Sequence, residues 1–102
     1  MTPITEEIWL PINGYENLYL VSNMGRVMNR ITSKILRVRY TKGGYARVNL
    51  SKSGCLETVQ VHRLVGTHFL PNSDNLPEIN HINEDKTDNR AVNLEWCDRS
   101  YN

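Results

Sequence analysis

From Ile35 onward the chain alternates. Leu36, Val38 and Tyr40 are apolar or aromatic, Arg37 and Arg39 between them are cationic, and after Lys42-Gly43-Gly44 the pattern resumes with Ala46, Val48 and Leu50 against Tyr45, Arg47 and Asn49. A period of two sends successive side chains to opposite faces of a strand, so this segment predicts a β-hairpin with one apolar and one basic face. Ser51-Lys52-Ser53-Gly54 offers a second turn, and Leu56 to Val61, with β-branched Thr58, Val59 and Val61, predicts a third strand. The apolar face of this meander needs a cover. Val61, Leu64, Val65, His68 and Phe69 recur at helical spacing ahead of Pro71, which predicts a short amphipathic helix over residues 62–70 in that place. His62 and His68 are then expected to be ordinary helix residues.

Upstream, Ile8-Trp9-Leu10 and Leu18-Tyr19-Leu20-Val21 are broken at Asn13-Gly14 and Met24-Gly25 and read as short strands and tight turns. Downstream, residues 72–77 read as a polar linker, 78–82 as a short strand, 83–92 as a polar loop and 93–97 as a second strand, with Asp98 suited to cap a following helix. At 102 residues the chain is expected to fold as one domain, or as two small lobes sharing a modest core.

Charge is segregated along the chain. Residues 1–22 hold three acids and no Lys or Arg, whereas residues 23–52 hold eight bases and no acid: Arg26, Arg30, Lys34, Arg37, Arg39, Lys42, Arg47 and Lys52. Such a stretch is the electrostatic footprint of a polyanion-binding surface, although a solvated strand face has the same composition. Two cysteines, Cys55 and Cys97, make no disulfide framework, and no paired Cys/His spacing supports a structural zinc site. No apolar run approaches the ~20 residues of a membrane helix, and Met1 to Glu7 lacks the features of a secretory signal, so an intracellular protein is expected.

Asn83, Asp85, Thr87 and Asn89 alternate as calcium ligands do in an EF-hand loop. That reading fails, because Asp88 stands where the loop needs Gly and Leu94 where it needs a bidentate Glu. A different pattern accounts for more residues: Val61-His62-Arg63-Leu64-Val65 with Phe69, then Ile79-Asn80-His81-Ile82-Asn83, Lys86, Asp88-Asn89 and Asn93-Leu94-Glu95-Trp96. Over about 40 residues these positions resemble the ββα-metal, or HNH, nuclease motif of phage homing endonucleases. The N-terminal part, with Trp9, Pro11-Ile12, Gly14-Tyr15, Tyr19, Val21-Ser22-Asn23 and Gly25-Arg26-Val27, resembles the modular DNA-binding domain that accompanies such nucleases.

The resemblance implies an α+β fold: a small N-terminal antiparallel β meander with one short helix, then a C-terminal ββα-metal motif. It divides the chain into a basic β-rich DNA-binding region, 1–55, and a nuclease region, 56–102, made of an approach strand and helix (56–70), a linker (71–77) and the ββα motif (78–102). By position His81 becomes the general base, Asn80 and Asn102 the metal ligands, and Asn93 the residue that ties the loop together and orients the base. The implied cofactor is Mg²⁺ or Mn²⁺. The implied partner is double-stranded DNA, met by a monomer in a bacterial host's cytoplasm if the chain is phage-encoded, with all eight bases of 23–52 on the DNA-binding surface. The implied reaction is hydrolysis of a phosphodiester bond, nicking one strand and leaving 3′-hydroxyl and 5′-phosphate ends. The chemistry agrees: imidazole can take a proton from water near neutral pH, and amide oxygens suit a hard cation. The alternative is a DNA-binding protein with an incomplete, inactive HNH site.

Overall fold

The alternation beginning at Ile35 is shared between two sheets. In the computed structural model, which describes residues 6–99, β1 (Trp9–Pro11), β2 (Tyr19–Ser22) and β3 (Val27–Asn29) form one antiparallel sheet in that order. A second antiparallel sheet contains β4 (Arg39–Tyr40), β5 (Ala46–Lys52) and β6 (Cys55–Gln60). The strand expected from Leu36 is shorter than its pattern. Ile35 bridges Met28, and the Leu36 N–H donates to the Val27 carbonyl at 2.8 Å, so this stretch closes the edge of the first sheet. Only Arg39 and Tyr40 pair with the second sheet, opposite Arg47 and Ala46. Leu36 and Val38 still pack on the core, which satisfies the apolar period with two different neighbours. Along β5, Ala46, Val48 and Leu50 are buried while Arg47 is exposed, as the alternation requires.

The helix α1 (Val61–Phe69) follows β6 without a loop and begins one residue before the expected start. Its buried face holds Val61, Leu64 and Val65, together with His62 and Gly66. Gly66 decides how closely the C-terminal hairpin approaches, because a Cβ there would lie 2.4 Å from Cδ1 of Ile79. That hairpin pairs β7 (Glu78–His81) with β8 (Leu94–Cys97), Ile79 opposite Trp96 and His81 opposite Leu94. Trp96 donates its indole N–H to the Leu70 carbonyl at 3.2 Å, fastening β8 to the end of the helix.

One hydrophobic cluster joins all of these parts. Ile12, Tyr19, Val21 and Val27 come from the N-terminal strands and turn, Ala46, Val48 and Leu50 from β5, Val61, Leu64 and Val65 from α1, and Leu94 from the hairpin. Each aliphatic side chain of Val or Leu size contributes about 1.5–3 kcal/mol when fully buried, so no part could be removed without exposing the others. The α+β class expected from the sequence is the class observed. Its first residues form a sheet of their own, which the expected single meander did not include. The helix expected after β8 falls on residues outside the described ones. Among the described residues no helix is long and apolar enough to cross a membrane, and Cys55 and Cys97 are both free thiols.

Candidate active site

A cavity of about 370 Å³ lies where β7 meets the start of α1 and the β4–β5 turn, lined by Tyr45, Gln60, His62, Arg63, Glu78, Ile79, Asn80, His81, Glu84 and Lys86. His81, the last residue of β7, is 5 % exposed. Its Nε2 is 2.8 Å from Oδ1 of Asn89, which is also buried. An amide oxygen only accepts, so Nε2 is the donor, and in the neutral ring the lone pair falls on Nδ1. The contact orients the ring through Nε2 and leaves the other nitrogen free of Asn89.

Asn93, expected to tie the loop together and orient the base, hydrogen-bonds within the loop between the strands, and among the described residues none of its bonds goes to the imidazole. Its Oδ1 accepts the Asn83 N–H at 3.0 Å, and its Nδ2 donates to Asn83 Oδ1 and to the Asp88 carbonyl, both at 2.9 Å. Its own carbonyl accepts the Ile82 N–H at 2.8 Å. These bonds use both amide protons of Asn93, and the amide that contacts the His81 ring is Asn89 instead. Asp88 is half-buried and pairs with Arg90, whose guanidinium holds the carboxyl down to about 2.

Asn80 sits half-buried in the cavity wall. Its Nδ2 donates at 3.0 Å to Oε1 of Glu95, its cross-strand neighbour, which leaves Oδ1 as the acceptor without a partner among the described residues. This donor set fits a hard divalent cation, since the cavity offers an amide oxygen and the carboxylates of Glu78 and Glu84 and no thiolate. Among the described residues no cluster of three His, Cys, Asp or Glu gathers as a ready-made cage, so the described protein ligands are few. Asn102, the other expected ligand, lies outside the described residues.

His62 departs from its expected role as an ordinary helix residue. Its ring stands 5.3 Å from His81 and 5.5 Å from Tyr45, centroid to centroid, and its Nδ1 is buried with no hydrogen-bond partner among the described residues. Burial first, then the neighbouring His81 and Arg63, hold its pKa down to about 4, so it is neutral near pH 7. The available sequence signal was its place on the helix stripe with Val65 and Phe69. His68, in contrast, is a structural residue: Nδ1 donates to the Leu64 carbonyl at 2.8 Å, and Nε2 accepts the Asn13 N–H at 2.9 Å.

The eight bases of 23–52 do not act as one set. Arg26 forms an ion pair with Glu7 and lies over the Trp9 ring, Arg30 donates to the Glu16 carbonyl at 2.9 Å, and Lys52 donates to the Gly14 carbonyl at 2.7 Å. These three fasten the N-terminal loops. Lys34, Arg37, Arg39, Lys42 and Arg47 lie at the surface and meet no carboxylate among the described residues. Arg39 and Arg47 stand directly opposite each other, an arrangement of like charges that is unfavourable until an anion bridges them. Tyr45, expected on that basic face, belongs to the cavity, where the Lys86 ammonium lies 4.8 Å above its ring and donates to the Gly43 carbonyl at 3.0 Å.

A hairpin that ends its first strand on a histidine and closes its loop on an asparagine supplies the two strands expected of a ββα nuclease motif, the helix expected after them lying outside the described residues. Comparison with known proteins narrows this: residues 59–102 match the HNH endonuclease family and residues 7–51 match the NUMOD4 motif. The chain is 48% identical over 101 residues to the HNH endonuclease L247 of Acanthamoeba polyphaga mimivirus, covering 94% of this chain and 25% of the relative. It is 38% identical over 94 residues to the DNA endonuclease I-HmuI of Bacillus phage SP01, covering 92% of this chain and 54% of the relative. A solved structure described as DNA binding and cleavage by the HNH homing endonuclease I-HmuI superimposes with a TM-score of 0.85 over 92% of this chain and 54% of that one. The chain thus spans between a quarter and about half the length of these relatives. It belongs to the HNH endonuclease family and carries a NUMOD4 motif ahead of its HNH segment.

Proposed function

We propose that the chain is a homing-endonuclease-like enzyme that grips double-stranded DNA with its β-rich region, residues 1–55, and nicks one strand with its nuclease region, residues 56–102, as an intracellular monomer. The observation that carries this reading is the contact of one cavity-lining imidazole with a buried amide: Oδ1 of Asn89 meets Nε2 of His81, so in the neutral ring Nδ1 is the basic atom. Nδ1 removes a proton from the attacking water, the new P–O bond forms as the bond to the 3′ oxygen breaks, and that oxygen takes a proton from solvent water, giving a 3′-hydroxyl and a 5′-phosphate. Asn80 Oδ1, with Asn102 from the chain end, would hold Mg²⁺ or Mn²⁺, and the bound cation would neutralise charge on the phosphate and the departing oxygen. Asn93 keeps the loop closed. Lys34, Arg37, Arg39, Lys42 and Arg47 supply cations for the DNA backbone, the ribbon of β4 and β5 lying beside the cavity through Tyr45 and Gln60.

The test is plasmid nicking with and without each metal, beside a DNA-binding measurement, for the unaltered protein and for His81→Ala. Loss of nicking with affinity retained is the expected result, because a general base acts in the transition state more than in ground-state binding. A His81→Ala protein that nicks at the original rate removes His81 from the role. Binding without nicking in either metal would identify a DNA-binding protein with an inactive site.

A further inference from the structure

We infer that the N-terminal sheet is part of the machinery that positions the base, acting through Asn89, so that the NUMOD4 segment has a role in cleavage separate from gripping DNA. This rests on His81 being the base. The β2–β3 turn of the N-terminal sheet, Asn23-Met24-Gly25, is packed directly against the loop that carries Asn89. The Ala91 N–H donates to the Asn23 carbonyl at 2.8 Å. A Cβ on Gly25 would lie 3.0 Å from both the carbonyl carbon and the carbonyl oxygen of Asn89 and 3.1 Å from its Cβ. The turn and the loop are therefore in contact backbone to backbone, on the residue whose side chain sets the proton on His81.

The turn is itself anchored. Ser22 Oγ accepts the N–H groups of Met24 and Arg26 at 3.2 and 3.1 Å, and Asn23 Oδ1 accepts the Ile8 N–H at 2.8 Å while its Nδ2 donates to the Glu6 carbonyl at 3.2 Å. Nothing in this turn carries a charge to the cavity, and none of its residues lines it. Its contribution is position: it fixes the loop backbone at Asn89, and Asn89 in turn selects the Nε2–H form of His81. Asn89 is a positioning residue, and Gly25 is the point at which the N-terminal sheet supports it.

Gly25 and Gly14 provide a matched pair for the test. Both adopt a left-handed backbone, with φ of +86° and +85°, so alanine is unfavourable at each for the same reason, but nothing lies within 4 Å of a Cβ at Gly14. Gly25→Ala, Gly14→Ala, Asn89→Ala and Asn89→Asp are compared in the full chain by ¹⁵N NMR of the imidazoles above their titration range, by single-turnover nicking, and by DNA affinity. The protein has three histidines, so assignment of His81 is direct. Gly14→Ala should keep the Nε2–H tautomer of His81. Gly25→Ala and Asn89→Ala should lose that preference and nick roughly ten- to a hundred-fold more slowly at unchanged DNA affinity, the range typical when a residue orienting a functional side chain is removed. Asn89→Asp, which retains an acceptor, should restore the tautomer. The inference is overturned if Gly25→Ala and Gly14→Ala give the same tautomer and rate, or if Asn89→Ala leaves His81 as Nε2–H. The tautomer is read without activity, so a failure of His81 as the base, shown by His81→Ala, is distinguishable from a failure of the support.

Discussion

The β-rich part and the loop between β7 and β8 reach order by opposite means. In the sheets, backbone ladders and buried Val and Leu specify the structure, and polar side chains, the buried Ser22 of β2 apart, lie toward the surface. Residues 82–93 make no strand at all, and the side chains of Asn83, Asp85, Asp88, Asn89 and Asn93 satisfy backbone groups, one another or His81. Chemistry on a phosphodiester needs amides and imidazole held at fixed angles, and an apolar ladder cannot supply them. The site therefore falls where polar side chains hold the chain together, and it borrows rigidity from the apolar part through the contact at Gly25.

The sharpest way to break the comparison is to damage each part separately. Leu50→Ala empties a fully buried position in the shared cluster and should cost about 2–5 kcal/mol, with DNA binding and nicking lost together as the fold melts. Asn93→Ala removes three side-chain hydrogen bonds worth about 1 kcal/mol each and should open the loop, so that nicking falls while DNA affinity stays. Urea denaturation beside the two DNA assays checks both. Equal loss of binding in both variants would show that the loop and sheets are one cooperative unit.

A second measurement addresses the region where they meet. His62 has a folded pKa of about 4 against 6.5 for the free group, so as pH falls below 6.5 the unfolded chain takes up a proton that the folded one refuses. Stability should be complete above pH 6.5 and decline by on the order of 3 kcal/mol by pH 4, with no further loss from this group below that. Replacing His62 with Phe should flatten that part of the curve. An unchanged slope would mean that His62 does not stay neutral in the fold.

The smallest effect on folding and the clearest on binding comes from the cations. Arg39→Ala with Arg47→Ala should change stability by no more than about 0.5 kcal/mol, and should reduce the salt slope of DNA binding by about 0.9 for each phosphate that is no longer neutralised. Arg26→Ala with Arg30→Ala should leave that slope unchanged, because those side chains are already engaged by Glu7 and the Glu16 carbonyl. If both pairs change the slope equally, the whole basic stretch binds DNA.

Much of this molecule was legible in its sequence. The two-residue period located β5 and β6, helical spacing located α1 to within one residue, and the resemblance to the HNH motif singled out Asn80, His81 and Asn93 on the hairpin and its loop. Local backbone preference and side-chain periodicity act between near neighbours, so they survive in a one-dimensional reading. Decisions that depend on what arrives from elsewhere in the chain do not. Leu36 alternates as a strand residue whether its partner is β3 or β5; Arg26 and Arg39 are equal cations until Glu7 approaches one of them. His62 looks like any helix residue until His81 packs against it, and Asn89 is one more polar loop residue until its oxygen meets Nε2. The sequence determined the elements and the kinds of group at the site. The tertiary structure decided which cations remain available and which amide meets the His81 ring, because electrostatic pairing and hydrogen bonding depend on distances that only packing sets.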